Sequence, residues 1–402
     1  MLSERAEPLP LPAPAPLRVN AVRDFAGLAR LRAEWDALHE ASAAGPFNAW
    51  AWLYPWAARL GRARSLWVLE ARDSEGALAG LLPLGLSTVS RAGVRARRLA
   101  FLGDAFVGSD YLDVVARPGV EAQVARTFAQ ELVRTAAEWD VLELLDIDAG
   151  SPVLSELRQS FGASGFEVEE RFRYVCPFEA LTPGEPFERF LQRTARRDNY
   201  LRRRRWLERQ PGYRIEVAAR PEELAQPLAE LFRLHALRWA GEGGSQGIRG
   251  AAVEAFHREA AWHLAEDGRV RLYTLRIGDR AVASVYGLVH GGRFHYYQSG
   301  LDPAWNNRSV GLVLVGETFR DAIALGLTGY DFLHGNESYK ADWVHGQKRT
   351  VEFRAWKSGG AGEWLNRAEA ATRAARRLAE RVAPRAWVEA VRRRRRTARV
   401  EA

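Results

Sequence analysis

Apolar positions along the chain switch repeatedly between helical and strand periodicity. LRVNAV (17–22) reads as a strand. Behind it, DFAGLARLRAEWDALHEAS sets Leu28, Leu31, Trp35 and Leu38 on one helical face, with Asp24 as N-cap. GPFNAWAWLYPWAARLG concentrates tryptophan and tyrosine and reads as core and wall rather than a cofactor box. Strand-like runs follow at SLWVLEAR, ALAGLLPLGLSTV and RRLAFLG, then a helix over 120–138, a strand over 141–147 and a helix near 151–161. The turns between successive strands are too short for crossovers, which predicts a largely antiparallel sheet.

The second half repeats this order. A helix over 186–209 leads to strand YRIEVA (213–218), then to helices over 221–239 and 251–266 flanking the glycine-rich GEGGSQGIRG. Strands at 270–278, 281–291 and 292–300, a helix at 309–326 and strands at 328–334 and 349–356 complete it. A helix pair, a β-meander, a long helix and a strand resemble the element order of a GNAT acyltransferase lobe. Two such orders imply an α/β (α+β) fold of two tandem GNAT-like lobes, each a mostly antiparallel twisted sheet flanked by helices. The expected division is a disordered Pro/Ala-rich leader (1–16), an N-terminal lobe (17–180), a C-terminal lobe (181–358) and an Arg-rich helical tail (359–402).

Of 402 residues, 47% are apolar and 27% charged, which excludes disorder or a fibrous fold for most of the chain. A single cysteine, Cys176, excludes an intramolecular disulfide and a multi-cysteine metal site. No run of about 18 apolar residues occurs, and the leader lacks the apolar core of a signal peptide. A soluble cytoplasmic protein is expected. The formal charge of +8 is local: about +6 lies in 193–209 and +7 in 361–402, which leaves the remainder near −5. Nucleic acid is therefore not the expected partner. Only three of the 58 basic residues are lysines (Lys340, Lys348 and Lys357), and all fall beside the densest polar motif, which singles out Lys340.

The first chemical stretch is FHYYQSGLDPAWNNRSVGLVLVGETFRDAIALG, a strand leading through a Pro/Asn loop into a helix. A helix N-terminus offers free N–H groups and a positive dipole end to a pyrophosphate. In GNAT enzymes this junction holds coenzyme A, with the pantetheine arm pairing along the strand. The resemblance thus implies Gln298, Ser299, Arg308, Ser309, Val310 and Gly311 as the coenzyme-binding set, although NRSVGL lacks the usual second glycine.

The second stretch is TGYDFLHGNESYKADWVHGQKRTVEFRAW. With SVGLVL, RTARRDNYLRRRRWLERQPGYRIEV and LFRLHALRWAGEGG, it resembles the CelD-type acetyltransferases associated with cellulose and exopolysaccharide biosynthesis, a GNAT branch allied to the Fem peptidyltransferases. The resemblance spans about residues 18–357. It implies an N-acetyltransferase using acetyl-CoA and no metal, with an amine acceptor linked to polysaccharide or cell-envelope metabolism. Lys340 becomes the lysine that stabilises charge on the reacting acyl group, with Glu337, Asp331 or His334 to orient it or take the amine proton. Asn336 stands where an Asp is more usual. Direct attack of an amine on a thioester needs no enzyme nucleophile, so Cys176 is not required.

Three further expectations follow. Arg197 and Arg204 on the Arg-rich helix could grip acceptor phosphates bidentately, the plain alternative being a salt-bridged helix. Trp239, Tyr296, Trp305, Tyr339 and Trp343 are expected to line an acceptor cleft between the lobes. The tail, with Trp364, Leu365, Val382 and Trp387 as shallow anchors, could dock on an anionic membrane surface at the inner face of the membrane. Two rival functions keep the fold: a Fem-like enzyme using aminoacyl-tRNA, and a non-catalytic scaffold at the membrane surface.

Overall fold

The computed structural model describes residues 15–240, 247–335 and 337–382; Asn336, the leader to residue 14 and Trp387 lie outside them. The first half contains β1 (Arg18–Val22), α1 (Phe25–Arg30), α2 (Arg32–Ala41), α3 (Trp50–Arg59), β2 (Ser65–Arg72), β3 (Leu78–Arg91), β4 (Val94–Phe101), β5 (Val115–Ala116), α4 (Glu121–Arg134), β6 (Val141–Asp148), α5 (Pro152–Ala163) and β7 (Phe166–Ala180). The second contains α6 (Phe187–Gln192), α7 (Arg197–Glu208), β8 (Arg214–Ala218), α8 (Ala225–Ala240), α9 (Ala251–Glu266), β9 (Val270–Ile277), β10 (Arg280–His290), β11 (Arg293–Leu301), α10 (Val310–Ala324), β12 (Gly329–Asp331), β13 (Gly346–Lys357) and α11 (Ala361–Val382). This is the mixed α/β architecture expected from the sequence, with a large sheet flanked by helices.

The strands share one sheet in the order β1-β2-β3-β4-β6-β13-β7-β12-β11-β10-β9-β8, with β5 paired to β3. The pairs β4/β6 and β11/β12 are parallel. The other neighbours are antiparallel. Outward from the central β7/β13 pair, the two flanks repeat the same sequence of pairings. Each half of the chain thus hands its last strand to the other: β13 pairs with β6, and β7 with β12.

Sequence periodicity assigns no element to 162–185, yet β7 is the longest strand of the sheet. FEVEERFRYVCPFEA alternates, with Phe166, Val168, Phe172, Tyr174, Cys176 and Phe178 on one parity and most of its charges on the other, but most of its residues are exposed or half-exposed in the sheet. Its two paired edges hold it in the sheet, assisted by ion pairs such as Arg173–Asp146. The helix expected over 186–209 is broken into α6 and α7. Arg193 at the break bonds to Glu179 and Glu185, and the Ala195 amide donates to the Asp342 carbonyl.

Two apolar cores flank the sheet. The larger gathers Trp35, Trp52, Trp56 and Trp67 of the first half and reaches Phe256 of α9, so the aromatic-rich segment is indeed core. The smaller lies under α10 around Tyr200, Phe319, Tyr330 and Trp343. α11 closes over Ala96 and Val141 with Leu365, which is buried and so is not a membrane anchor. No described helix is long and apolar enough to cross a membrane.

β6, β13 and α11 are joined by the buried Arg354, whose guanidinium meets Glu143, Glu352 and Glu369. Burial opposes the charge on Glu143, but Arg354 and Arg98 outweigh it and hold its carboxyl below the usual range. Arg354→Ala removes the cation shared by three carboxylates and leaves Glu352 unpaired and Glu143 with Arg98 alone, and should cost about 3–5 kcal/mol of unfolding free energy. Urea denaturation measures this, and an unchanged midpoint would show that the junction is held by other contacts.

Candidate functional site

β11 and β12 pair only over Arg293–His295 and Gly329–Asp331, whereas β11 runs on to Leu301. From Tyr296 onward, the β11 edge on that side has no strand partner among the described residues. A bulge adds Tyr297 between the β10 pairings of Tyr296 and Gln298, and the Tyr297 hydroxyl donates to the Val107 carbonyl. Gly300 lets α8 lie close against this strand, because a Cβ there would stand 2.4 Å from the His235 nitrogen.

α10 points its N-terminus into the same gap. A short turn over Pro303–Arg308, capped by Asp302, leads to Ser309 in the left-handed region at φ 56°. The Ser309 side chain makes no cap, and the first-turn amides of Val310, Gly311 and Leu312 have no intrahelical acceptor. The result is a cleft of about 280 Å³ between the free strand edge, this helix end and α8. Arg238 of α8 lines it, donating to Ser299 Oγ at 2.7 Å and meeting Glu337 at 3.5 Å. Tyr339 and Tyr296 close one wall with their hydroxyls 3.5 Å apart.

Four of the six coenzyme-binding candidates line this cleft: Ser299, Ser309, Val310 and Gly311. Gln298 instead lies against Gly247, and Arg308 stacks over Trp206 at 4.2 Å. Among the substrate-binding candidates, Tyr296 and Tyr339 line it, and Trp239 sits behind Arg238 with the guanidinium 5.2 Å from its ring. Trp343 does not. It is fully buried, stacked on Phe319 and edge-on to Tyr200, and its size serves the smaller core. Arg204 is committed to Glu317 and Glu208, tying α7 to α10, and Arg197 pairs with Asp198 on the outer face. Arg196 and Asn199 are the residues α7 presents to the cleft. The motif LFRLHALRW contains Arg238, but aromatic counting favours its neighbour Trp239.

The four catalytic candidates divide between the two sides of the loop following β12. Lys340 is buried, with Nζ 3.2 Å from the carbonyls of Phe332 and His334 and 3.1 Å from Glu337. Two of its N–H groups bond to these carbonyls and its charge pairs with Glu337, so Lys340 positions the loop. Gly335 leaves the space: a Cβ there would fall 2.3 Å from the Glu337 carboxylate and 2.4 Å from Nζ. Burial would raise the Glu337 pKa, but Lys340 and Arg238 hold it below its ordinary value.

Asp331 and His334 face the first half of the chain. Asp331 is fully buried, accepts from the Tyr111 hydroxyl at 3.1 Å and from the Leu333 amide, and is pushed up to about 6 by burial. His334 Nδ1 lies 2.6 Å from Asp110, whose other oxygen accepts the His334 amide at 2.8 Å. Asp110 and Tyr111 come from GSDYLDV, where nothing in the local pattern marks them as partners of residues more than 200 positions away.

Comparison with known proteins places this geometry. Residues 194–341 match the family model of an acetyltransferase (GNAT) domain. Among solved structures, the chain is similar to one described as FemX at 12% identity, covering 80% of this chain and 95% of that one with a TM-score of 0.56. It is also similar to a conserved protein of unknown function from Bacteroides thetaiotaomicron VPI-5482, at 11% identity, 82% and 97% coverage and a TM-score of 0.53. At these identities the likeness is one of fold. No curated protein matches the sequence. The chain carries a GNAT-type acyltransferase fold.

Lys340→Ala would leave two carbonyls and the Glu337 carboxylate without their donor. A loss of about 1–3 kcal/mol in unfolding free energy is expected, measured by urea denaturation. Full retention of stability would contradict the loop-holding role.

Proposed function

We propose that this protein transfers an acyl group, acetyl in the first instance, from acyl-coenzyme A to an amine acceptor. One observation carries the reading: an unpaired strand edge, Tyr296 to Leu301, runs directly into an uncapped helix N-terminus. A pantetheine arm carries amides that can pair with such an edge as an added strand. A pyrophosphate suits the first-turn amides of Val310, Gly311 and Leu312, and Gly311 leaves room for its approach. Coenzyme A would supply the activated thioester; this chain's residues bind and orient it. Arg238, placed by Ser299 and Glu337, adds a cation inside the cleft.

The acceptor amine attacks the thioester carbonyl directly, without an enzyme nucleophile. The buried Cys176, its thiol pushed up to well above the ordinary range by burial and nearby carboxylates, is unsuited to be one. The CelD-type resemblance supports an acceptor tied to polysaccharide or envelope metabolism. A second reading, an aminoacyl-tRNA donor on the same fold, is favoured by the outer face of α7. There Arg202, Arg205 and Arg209 are exposed around Leu201 and Trp206, and no described carboxylate ion-pairs with them.

Isothermal titration at low salt should give saturable acetyl-CoA binding, and its absence would remove the acyl-coenzyme A reading. Gly311→Asp supplies an internal control. A carboxylate in the first turn of α10 favours the helix but repels a pyrophosphate, so binding should weaken at least about tenfold with little change in melting temperature. Steeply salt-dependent RNA binding with no response to acetyl-CoA would move the assignment to the second reading.

A further inference from the structure

The junction between the two halves holds a second constellation, outside the cleft's lining but on the same loop as Tyr339 and Lys340. His334, on the loop after β12, donates from Nδ1 to Asp110, which belongs to the first half and is 0% exposed. Asp110 holds the ring in one tautomer, so neutral His334 keeps its lone pair on Nε2. Tyr174 of β7 stacks on the ring with centroids 4.6 Å apart, and Gly108 borders its Cε1 edge, where a Cβ would stand 3.4 Å from Cε1. The side chain is nevertheless 34% exposed, and no described protein atom is recorded as bonding Nε2. A buried carboxylate behind a clamped imidazole with Nε2 left unbonded can serve as a base.

Backbone strain marks the same place. Of six described non-glycine residues with positive φ, Phe106, Tyr111, Asp146 and Leu333 lie in the segments that enclose this ring. Left-handed conformations at bulky residues cost energy and persist where the surroundings require them. The constellation is also joined to the cleft, since the His334 carbonyl bonds Lys340, Lys340 pairs with Glu337, and Glu337 meets Arg238.

We propose that His334 is the general base that removes the proton from the acceptor amine, and that Asp110, supplied by the first half of the chain, is its positioning residue. The inference rests on the acyl-transfer reading. The amine nitrogen bonds to the acyl carbon, the carbon–sulfur bond breaks and its electron pair leaves on sulfur. The amine proton passes to Nε2, and the imidazolium returns it to the departing thiolate or to solvent.

The charged and titratable groups facing the ring are Asp110, Asp146 with its partner Arg173, Tyr174 and Lys340, with Tyr111, Asp331, Cys176 and Lys348 behind Asp110. Burial works against the charged imidazole, but Asp110 outweighs it and the pKa of His334 is raised above its ordinary value. A base must be neutral to accept a proton, so turnover should fall as pH drops through that raised value. Removing the Asp110 charge should move this acidic limb to lower pH.

The test measures thiol release from acetyl-CoA with glucosamine and with water as acceptors, across pH, alongside an NMR titration of the His334 ring. His334→Gln should lower turnover at least about 100-fold while the acetyl-CoA Kd changes less than about twofold. Asp110→Asn should shift both the acidic limb and the ring titration to lower pH and reduce turnover. Wild-type turnover in His334→Gln, or a wild-type ring titration that follows an unperturbed histidine, overturns the proposal, and the latter needs no variant to fold. Failure to bind acetyl-CoA with the Asp110-dependent titration intact would instead overturn the donor assignment and leave the base standing.

Discussion

Everything else in the molecule hangs on the antiparallel pairing of β7 with β13. It runs through twelve residues of β13 at the middle of the sheet, and each strand pairs on its other edge with the opposite half of the chain. Neither strand relies on a continuous apolar face. The ladder and charged contacts such as Arg173–Asp146 and Arg354–Glu143 take that place. Because each half supplies the last strand of the other, the halves cannot part without breaking a central ladder. The fold therefore behaves as one sheet with two faces of action, not as two beads on a linker.

That exchange also sets the geometry of the cleft. With β7 occupying the far edge of β12, the short strand β12 sits between an antiparallel partner and a parallel one, and it separates from β11 after only three pairs. The gap is filled from below by Tyr339 and Tyr296 and is met from the side by α10. The loop leaving β12 is pinned by an ammonium instead of a guanidinium for a geometric reason. Two carbonyls and a carboxylate converge on one point beside Gly335, which suits three tetrahedral donors and leaves no room for a planar fork. In a chain with 55 arginines and three lysines, that is a specific use of lysine.

The charge distribution is equally local. Several arginines of α7 and β13 stitch elements together through carboxylates, as Arg204 does with Glu317 and Arg354 with Glu143, and Arg196 just before α7 does so with Asp342. At the junction the balance differs: a fully buried carboxylate backs a part-exposed imidazole amid strained backbone. The first half thus contributes to the site through the Ser109–Asp113 segment, where Asp110 and Tyr111 both bond to residues of the second half.

Much of this was legible in the chain itself. Apolar periodicity located most helices and strands, the tryptophan-rich segment was core, and the strand–loop–helix at 294–326 brings Ser299, Ser309, Val310 and Gly311 to one cleft, because local pattern determines such elements. What pattern cannot carry is pairing at a distance. β7 alternates apolar and charged residues and was legible as a strand, but its partners β12 and β13 lie far away in sequence, and Trp343 and Trp239 drew attention for their chemistry while packing decided that one is core and Arg238 is the lining residue. Lys340 stood out by rarity, yet only three acceptors arranged in space show what its charge holds. The union of Asp110 with His334 was decided by tertiary structure alone, since a hydrogen bond spanning 224 positions leaves no mark on the residues between.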